Sequence, residues 1–344
     1  MIQDELRSLA QDYFNTDNLN IKLLQGDGSD RLIFRIFPEE NKNESVIGVT
    51  HNDLRENQDF HQITEKMAEL GLPVPDLYGE SRTRQSYLQQ DLGDWNLAEL
   101  IDQWKEKGQA EKIVPAYKKV LALLPAIQQK LPTALAPFLS KKHMGKEAFQ
   151  DDLRYCRQNF FQLLELDNFY TAELNQELQD KIVDHLVQLD GQYFVYRDFQ
   201  SRNIMWRDDS PWLIDYQSAL QGSLFYDLAS LLYASRSGLN EEEREELLRY
   251  YFDLLEYPAP YADFLTHFYR FVLVRRLRSL GSYGYLSVKK GKRYFFKGIR
   301  PTLDELILLF SQKESLQEFT VLPKIIKELH AVWSDKEQQY SHLL

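Results

Sequence analysis

The hydrophobic period of this chain changes near Asp91-Leu92-Gly93-Asp94, and that change limits the folds open to it. Before this point apolar residues come in short runs: 21–24, 32–37, 46–49, 77–78 and 87–90 read as strands. Two helical stretches accompany them. Residues 1–15 carry Leu6, Leu9, Ala10, Tyr13 and Phe14 at helical spacing, and 57–70 has the same period, stopped by Gly71 and Pro73. After residue 93 the pattern is that of long helices, over 96–107, 111–130, 146–164 and 171–189, with a short break at 131–137. One island of strand character, 193–215, interrupts them. The expectation is an α+β chain with a small β-rich N-terminal lobe over 1–92. A large, mainly helical C-terminal lobe over 93–344 would carry one inserted hairpin.

That island holds the densest chemistry. Tyr193-Phe194-Val195-Tyr196-Arg197-Asp198 leads through Asn203 into the strand Ile204-Met205-Trp206. The polar turn Arg207-Asp208-Asp209-Ser210-Pro211 reverses the chain, and Trp212-Leu213-Ile214 delivers Asp215. One hairpin can therefore gather a carboxylate, a carboxamide and a second carboxylate. Phosphoryl transfer asks a protein mainly for positioning and charge neutralisation, with hard oxygen ligands converging on a small cation. Asp198 is the candidate base for an acceptor hydroxyl, and Asn203 and Asp215 are the candidate Mg²⁺ ligands. A solvated loop with stray acids is the bland alternative; the hairpin context counts against it.

The composition is that of a globular protein, with 43% hydrophobic and 13% aromatic residues, and 344 residues suffice for a large bilobal domain. A net charge of -11 and the lack of a basic block argue against a nucleic-acid surface. A single cysteine, Cys156, excludes an intramolecular disulfide and fits a reducing compartment, with helix packing favoured over a nucleophilic role. No apolar run of membrane-spanning length exists, and the acidic N-terminus lacks a signal core, so a cytoplasmic location is expected.

Gly26-Asp27-Gly28-Ser29 lies between two expected strands, so it is not a dinucleotide fingerprint. Gly26 and Gly28 would let backbone N–H groups approach anionic oxygens, and Ser29 adds a hydroxyl; alone, the segment also fits an ordinary hairpin turn. Backbone groups of the crossover, at Gln90 and Leu92, would meet an adenine edge. The side chain of Asp91 fits that region or a plain helix-entry acid equally well.

The chain resembles the aminoglycoside phosphotransferase and choline-kinase-like superfamily, which shares the protein-kinase fold. Within it, the likeness is to bacterial kinases of the anomeric hydroxyl of N-acetylmuramate and N-acetylglucosamine. The likeness rests on Gly28-Ser29-Asp30-Arg31, Gly71-Leu72-Pro73-Val74-Pro75, Gln90-Asp91-Leu92-Gly93-Asp94, Arg197-Asp198 through Asn203, Ile214-Asp215-Tyr216-Gln217, Tyr226-Asp227-Leu228 and the stretch from Arg275 to Gly284. It implies transfer of the γ-phosphoryl of ATP, with Mg²⁺, to a small-molecule acceptor, preferably an amino sugar. An aminoglycoside or choline-like amine is the alternative acceptor, and a kinase-fold binding module without turnover is the rival class. Asp227 is implied to brace the catalytic loop. A monomer or weak homodimer is expected, with no nucleic-acid or membrane partner.

Two departures stand out. Tyr196 occupies the place of the usual His before Arg197-Asp198, where it can pack and hydrogen-bond. The third strand, Val46-Ile47-Gly48-Val49, has no Lys to anchor phosphates, so Glu56 and Glu65 have no lysine partner and are assigned to the surface. Arg31 and His51 are the candidates to supply the charge instead. The seven histidines show no i, i+4 pair, which gives no zinc signal. Arg275, Arg276 and Arg278, with Lys289, Lys290, Lys292 and Arg293, are either solvated helix faces, the favoured reading, or the source of an Arg for an anionic sugar group.

Overall fold

The computed structural model describes residues 2–24, 31–139, 142–189 and 191–340. It divides into two compact units, Met1–Ala136 with Tyr196–Ala219, and Pro137–Val195 with Leu220–Leu344. The period change near residue 92 thus falls inside the first unit, which also takes in the hairpin.

The first unit begins with α1 (Ile2–Phe14), β1 (Leu19–Leu24), β2 (Leu32–Pro38), β3 (Val46–Thr50), α2 (Leu54–Glu69), β4 (Leu77–Glu80) and β5 (Ser86–Gln90). Its described strands form an antiparallel sheet in the order β1-β2-β3-β5-β4. Leu6 and Ala10 of α1 pack on Phe34, Ile36, Val46 and Leu88 of the sheet. The approach is close: a Cβ on Gly48 would lie 2.8 Å from side-chain atoms of both Leu6 and Ile36. Helices α3 (Leu97–Glu106), α4 (Ile113–Leu121) and α5 (Leu124–Ala134) follow. Asn96 caps α3 in a reciprocal box with Glu99. The continuous helix expected over 111–130 is instead split at Ala122-Leu123, because Pro125 favours a fresh helix start. Pro132 is tolerated inside α5, so the expected break at 131–137 comes later.

Next come α6 (Ala136–Leu139), α7 (Lys146–Cys156), α8 (Ala172–Leu178), α9 (Asp184–Gln188) and β6 (Tyr193–Val195). Wide π turns at Arg157–Gln162 and Gln179–Val183 interrupt the helices expected over 146–164 and 171–189. Cys156 is buried, and burial pushes its thiol well up, as befits a packing residue. The hairpin β7 (Ile204–Arg207) and β8 (Ser210–Leu213) returns to the first unit. Strand β9 (Leu220–Gly222) pairs with β6, a partnership too short to leave a period in the sequence. Helices α10 (Phe225–Leu232), α11 (Glu241–Leu255), α12 (Tyr261–Gly284), α13 (Ile299–Gln312) and α14 (Leu322–Gln339) complete the second unit. Among the described residues no helix is long and apolar enough to cross a membrane.

The core of the second unit gathers around α12, which passes the π turn after α7 so closely that a Cβ on Gly284 would lie 1.9 Å from the backbone oxygen of Asn159. Backbone cannot move aside as a side-chain tip can. Gly284→Ala is expected to cost about 3 kcal/mol, the upper range for overpacking. Gly48→Ala, facing flexible Leu6 and Ile36 tips, should cost about 1 kcal/mol. Urea unfolding of the two variants beside wild type checks the order.

Candidate active site

Turn chemistry sets the site's frame. β7 and β8 pair from Ile204↔Leu213 to Arg207↔Ser210, so Asp208 and Asp209 alone make the turn. Both have positive φ, 51° and 55°, as a two-residue hairpin turn requires. The turn is therefore tighter than the one expected over 207–211: Ser210 and Pro211 are strand residues, and Ile214 lies past the strand's end. Lys119 secures the turn, its Nζ donating to the Asp209 carboxylate (2.5 Å) and carbonyl (2.7 Å). The Trp206 N–H donates to the Trp95 carbonyl and the Leu213 N–H to that of Pro73, each at 2.8 Å.

Ser201–Asn203 forms a short 3-10 turn, closed by the Asn203 N–H on the Gln200 carbonyl at 2.8 Å. The Asn203 amide nitrogen donates to the Asp198 carbonyl at 2.8 Å and to Asp215 Oδ2 at 3.2 Å. Gln217 Nε2 donates to Asp215 Oδ1 at 2.8 Å. Asp198, Asn203 and Asp215 are thus brought together, with the Asn203 amide nitrogen turned to the other two. Arg197 and Asp215 hold φ of 79° and 70°, a conformation that costs a non-glycine residue energy and clusters at functional sites. Tyr196 is fully buried and donates its hydroxyl hydrogen bond to the Ile214 carbonyl, bracing the segment that ends at Asp215.

The Asp215 side chain keeps 41% of its surface accessible, yet enough protein surrounds it that desolvation is the leading cause raising its carboxyl above the ordinary value of 3.8. The Asp198 charge adds to the rise, while the Gln217 hydrogen bond and the Arg31 and Arg202 charges oppose it.

Sequence reasoning missed two neighbours. Gln217 orients Asp215. Glu56, assigned to the surface, instead lies against basic side chains at two strand ends: Arg31 Nη2 lies 3.4 Å from its Oε1 and His51 Nδ1 lies 3.2 Å from its Oε2. Glu65 is exposed, as expected. The phosphate-loop residues Gly26, Gly28 and Ser29 lie outside the described residues. Gln90 closes β5, its N–H donating to the Asp76 carbonyl at 2.8 Å, and Leu92 is buried. Asp91 proves to be a clamp. Its carboxylate accepts from Arg35 Nε (2.6 Å), Ser45 Oγ (2.7 Å) and the Gly93 N–H (2.9 Å). Burial opposes its ionisation, but these bonds hold it below the usual range.

In the second unit Asp227 is fully buried on α10. Arg276 is buried too, bonding the Tyr233 carbonyl (2.9 Å) and Thr302 Oγ1 (2.7 Å) and pairing with Glu305 (2.6 Å). Arg275 donates to Tyr226 Oη (2.5 Å), and Arg278 to Asp152 (2.6 Å). The solvated-face reading therefore fails for these three and holds for Lys289, Lys290 and Arg293, which are exposed.

Residues 14–264 match the family model described as "Phosphotransferase enzyme family". The chain belongs to that family. A curated relative, the N-acetylmuramate/N-acetylglucosamine kinase of Neisseria meningitidis serogroup B, is 31% identical over 132 residues, which is 36% of this chain and 38% of the relative. Among solved structures, the choline kinase LicA from Streptococcus pneumoniae superposes with a TM-score of 0.56 at 14% identity, covering 92% of this chain and 99% of that one. The ADP-bound aminoglycoside phosphotransferase APH(2'')-Ib gives 0.54 at 15% identity, covering 90% and 98%. The expected fold class thus stands for this family member: a small antiparallel-sheet lobe, a mainly helical lobe and the protein-kinase-like architecture.

A raised carboxyl in the folded state predicts a pH dependence of stability. The ionised form is penalised only when folded, so the penalty is complete above the folded pKa. It vanishes as pH falls toward the ordinary value of 3.8. Metal-free Asp215→Asn should therefore unfold at higher urea than wild type at pH 8, with the gap narrowing as pH falls toward 3.8. A gap that stays constant or widens as pH falls would contradict the burial argument.

Proposed function

We propose that the protein transfers the γ-phosphoryl group of ATP to a hydroxyl of a small acceptor, preferably the anomeric hydroxyl of an amino sugar. It would do so in the cytoplasm, as a monomer or weak homodimer. The observation that carries this reading is the double engagement of the Asn203 amide, by the Asp198 carbonyl and by Asp215 Oδ2. It fixes a base candidate and two oxygen ligands within one loop and one hairpin.

The donor set fits Mg²⁺, which binds through few protein oxygens and completes its shell with phosphate oxygens and water. Asn203 Oδ1 and the Asp215 carboxylate would hold it. When bound, the ion supplies the positive charge that offsets the phosphates and favours the ionised form of Asp215. The protein's own residues do the rest. Asp198, half-buried beside this pair, accepts or orients the acceptor's hydroxyl proton. Gln217 and Asn203 keep Asp215 aimed. The Asp91 clamp holds the crossover at Gln90 and Leu92, whose backbone we assign to the adenine edge, and Gly26, Gly28 and Ser29 are assigned to the phosphates.

The name of the meningococcal relative supports the amino-sugar acceptor, and the ADP-bound state of APH(2'')-Ib supports nucleotide use. The test is ADP release with Mg·ATP and a panel of N-acetylmuramate, N-acetylglucosamine, choline and kanamycin. An amino sugar should stimulate release, and Asp198→Asn should lower kcat by about a thousandfold with nucleotide affinity near wild type. Stimulation by choline or kanamycin alone would move the acceptor class while keeping the chemistry. Asp215→Ala should abolish Mg²⁺-dependent nucleotide binding by calorimetry. Wild type that binds Mg·ATP yet releases no ADP with any acceptor would favour the binding-module reading.

A further inference from the structure

Arg31 stands one residue before β2, and His51 one residue after β3. The antiparallel register pairs Leu32 with Thr50, so the next step along the ladder sets Arg31 opposite His51. Facing them is the first turn of α2. Its N-cap, Asp53, accepts from the N–H groups of Arg55 (3.0 Å) and Glu56 (3.1 Å), with backbone and side chain arranged to start the helix there. Glu56 is the third helical residue, where a reciprocal box would turn its side chain back to the cap, as Glu99 does in α3. It turns instead to the strand ends, one carboxylate oxygen toward Arg31 and the other toward His51.

The Arg31 side chain is only 7% exposed, and its Nη1 also lies 3.9 Å from Asp215 Oδ1. One guanidinium therefore spans the helix carboxylate and the proposed metal ligand. Both separations exceed those of closed, charge-assisted hydrogen bonds, about 2.7–2.9 Å. A phosphate group bound at Asp215 would have this permanent cation on its flank. Guanidinium geometry suits phosphate oxygens, and Arg keeps its charge when buried, as Lys does not reliably do.

We propose that Arg31 is the side chain that binds the nucleotide phosphates in the place of the absent strand lysine. Glu56 is its positioning residue, with His51 at its other carboxylate oxygen. This rests on the phosphoryl-transfer reading above, and it adds a source of charge outside the Asp198–Asp215 hairpin. The helix carrying Glu56 is tied to the same hairpin's exit, because Thr64 Oγ1 and Tyr216 Oη are 2.6 Å apart and Phe60 stacks on Tyr216 at 5.0 Å. A shift of α2 would therefore move Glu56 and the residue next to Asp215 together.

The test uses the full-length protein, with Mg·ADP affinity by calorimetry, steady-state kinetics, and urea midpoints to confirm folding. Arg31→Gln should weaken Mg·ADP binding by about tenfold or more, and Arg31→Lys, which keeps a charge, should bind several-fold tighter than Arg31→Gln. Glu56→Gln should lower kcat/KM for ATP by about tenfold, and adding it to Arg31→Gln should bring little further loss, since residues acting through one another are not additive. Equal Mg·ADP affinity in wild type, Arg31→Gln and Arg31→Lys, alongside lost binding in Asp215→Ala, would overturn this assignment and leave the kinase reading intact. Additive losses in the double variant would remove Glu56 as the positioning residue. Wild type that binds no Mg·ADP would instead overturn the phosphoryl-transfer reading, and this assignment with it.

Discussion

The site depends on keeping the Asp215 carboxylate ionised and aimed in a place that disfavours its charge. Desolvation and the nearby Asp198 push it toward the neutral acid, while Gln217, Arg31 and Arg202 pull the other way. Two of the hydrogen bonds that orient it come from amide nitrogens, those of Asn203 and Gln217. Neutral donors aim a carboxylate without satisfying it as a full counter-charge would. A carboxylate held in this manner keeps affinity for a divalent cation. A closed bidentate bond from Arg31 at the same place would compete with metal binding.

The remainder of the first unit acts as a jig for that one residue. The hairpin that delivers it is fastened at its turn by Lys119, along one strand by Trp95, and along the other by Pro73. Past the strand's end, the Tyr196 hydroxyl holds the Ile214 carbonyl, and Tyr216 stacks on Phe60, which stacks in turn on Tyr87. With both flanks pinned, the unfavourable positive φ at Asp215 is carried by many bonds at once, each worth about 1 kcal/mol. Strain of this kind persists only where the surroundings over-determine it.

How much of this the sequence disclosed depends on the kind of signal. The order of short strands and long helices was legible, because burial on one face leaves a period of 2 or 3.6 in the apolar residues. The Asp198, Asn203 and Asp215 cluster was legible because one hairpin suffices to build it. Glu56 was not. It was assigned to the surface because the third strand offers it no lysine, and apolar spacing over 57–70 carries no information about the partner of a first-turn acid. Asp53 with Glu56 three residues on is an N-terminal signature that marks the helix start at Leu54, but it predicts a side chain turned back to the cap and not one that reaches Arg31 and His51. The pairing of Arg275, Arg276 and Arg278 was hidden for a different reason. Their partners, Tyr226, Glu305 and Asp152, lie 49, 29 and 126 residues away in sequence, beyond any local pattern.

The absence of a third-strand lysine has a structural counterpart in Gly48. A lysine on β3 needs room for its stem, but α1 lies so close to this strand that even a Cβ at Gly48 would crowd Leu6 and Ile36. That face of β3 is occupied by the helix, and the opposite face carries Ile47 and Val49, both buried. β3 itself carries no cation, and just past its end the register places Arg31 opposite His51. An arginine is suited to that position because its longer, planar fork reaches from the sheet margin to Asp215, with Glu56 defining its direction. The tight packing of α1 and the relocation of the cation are thus two consequences of one choice of core.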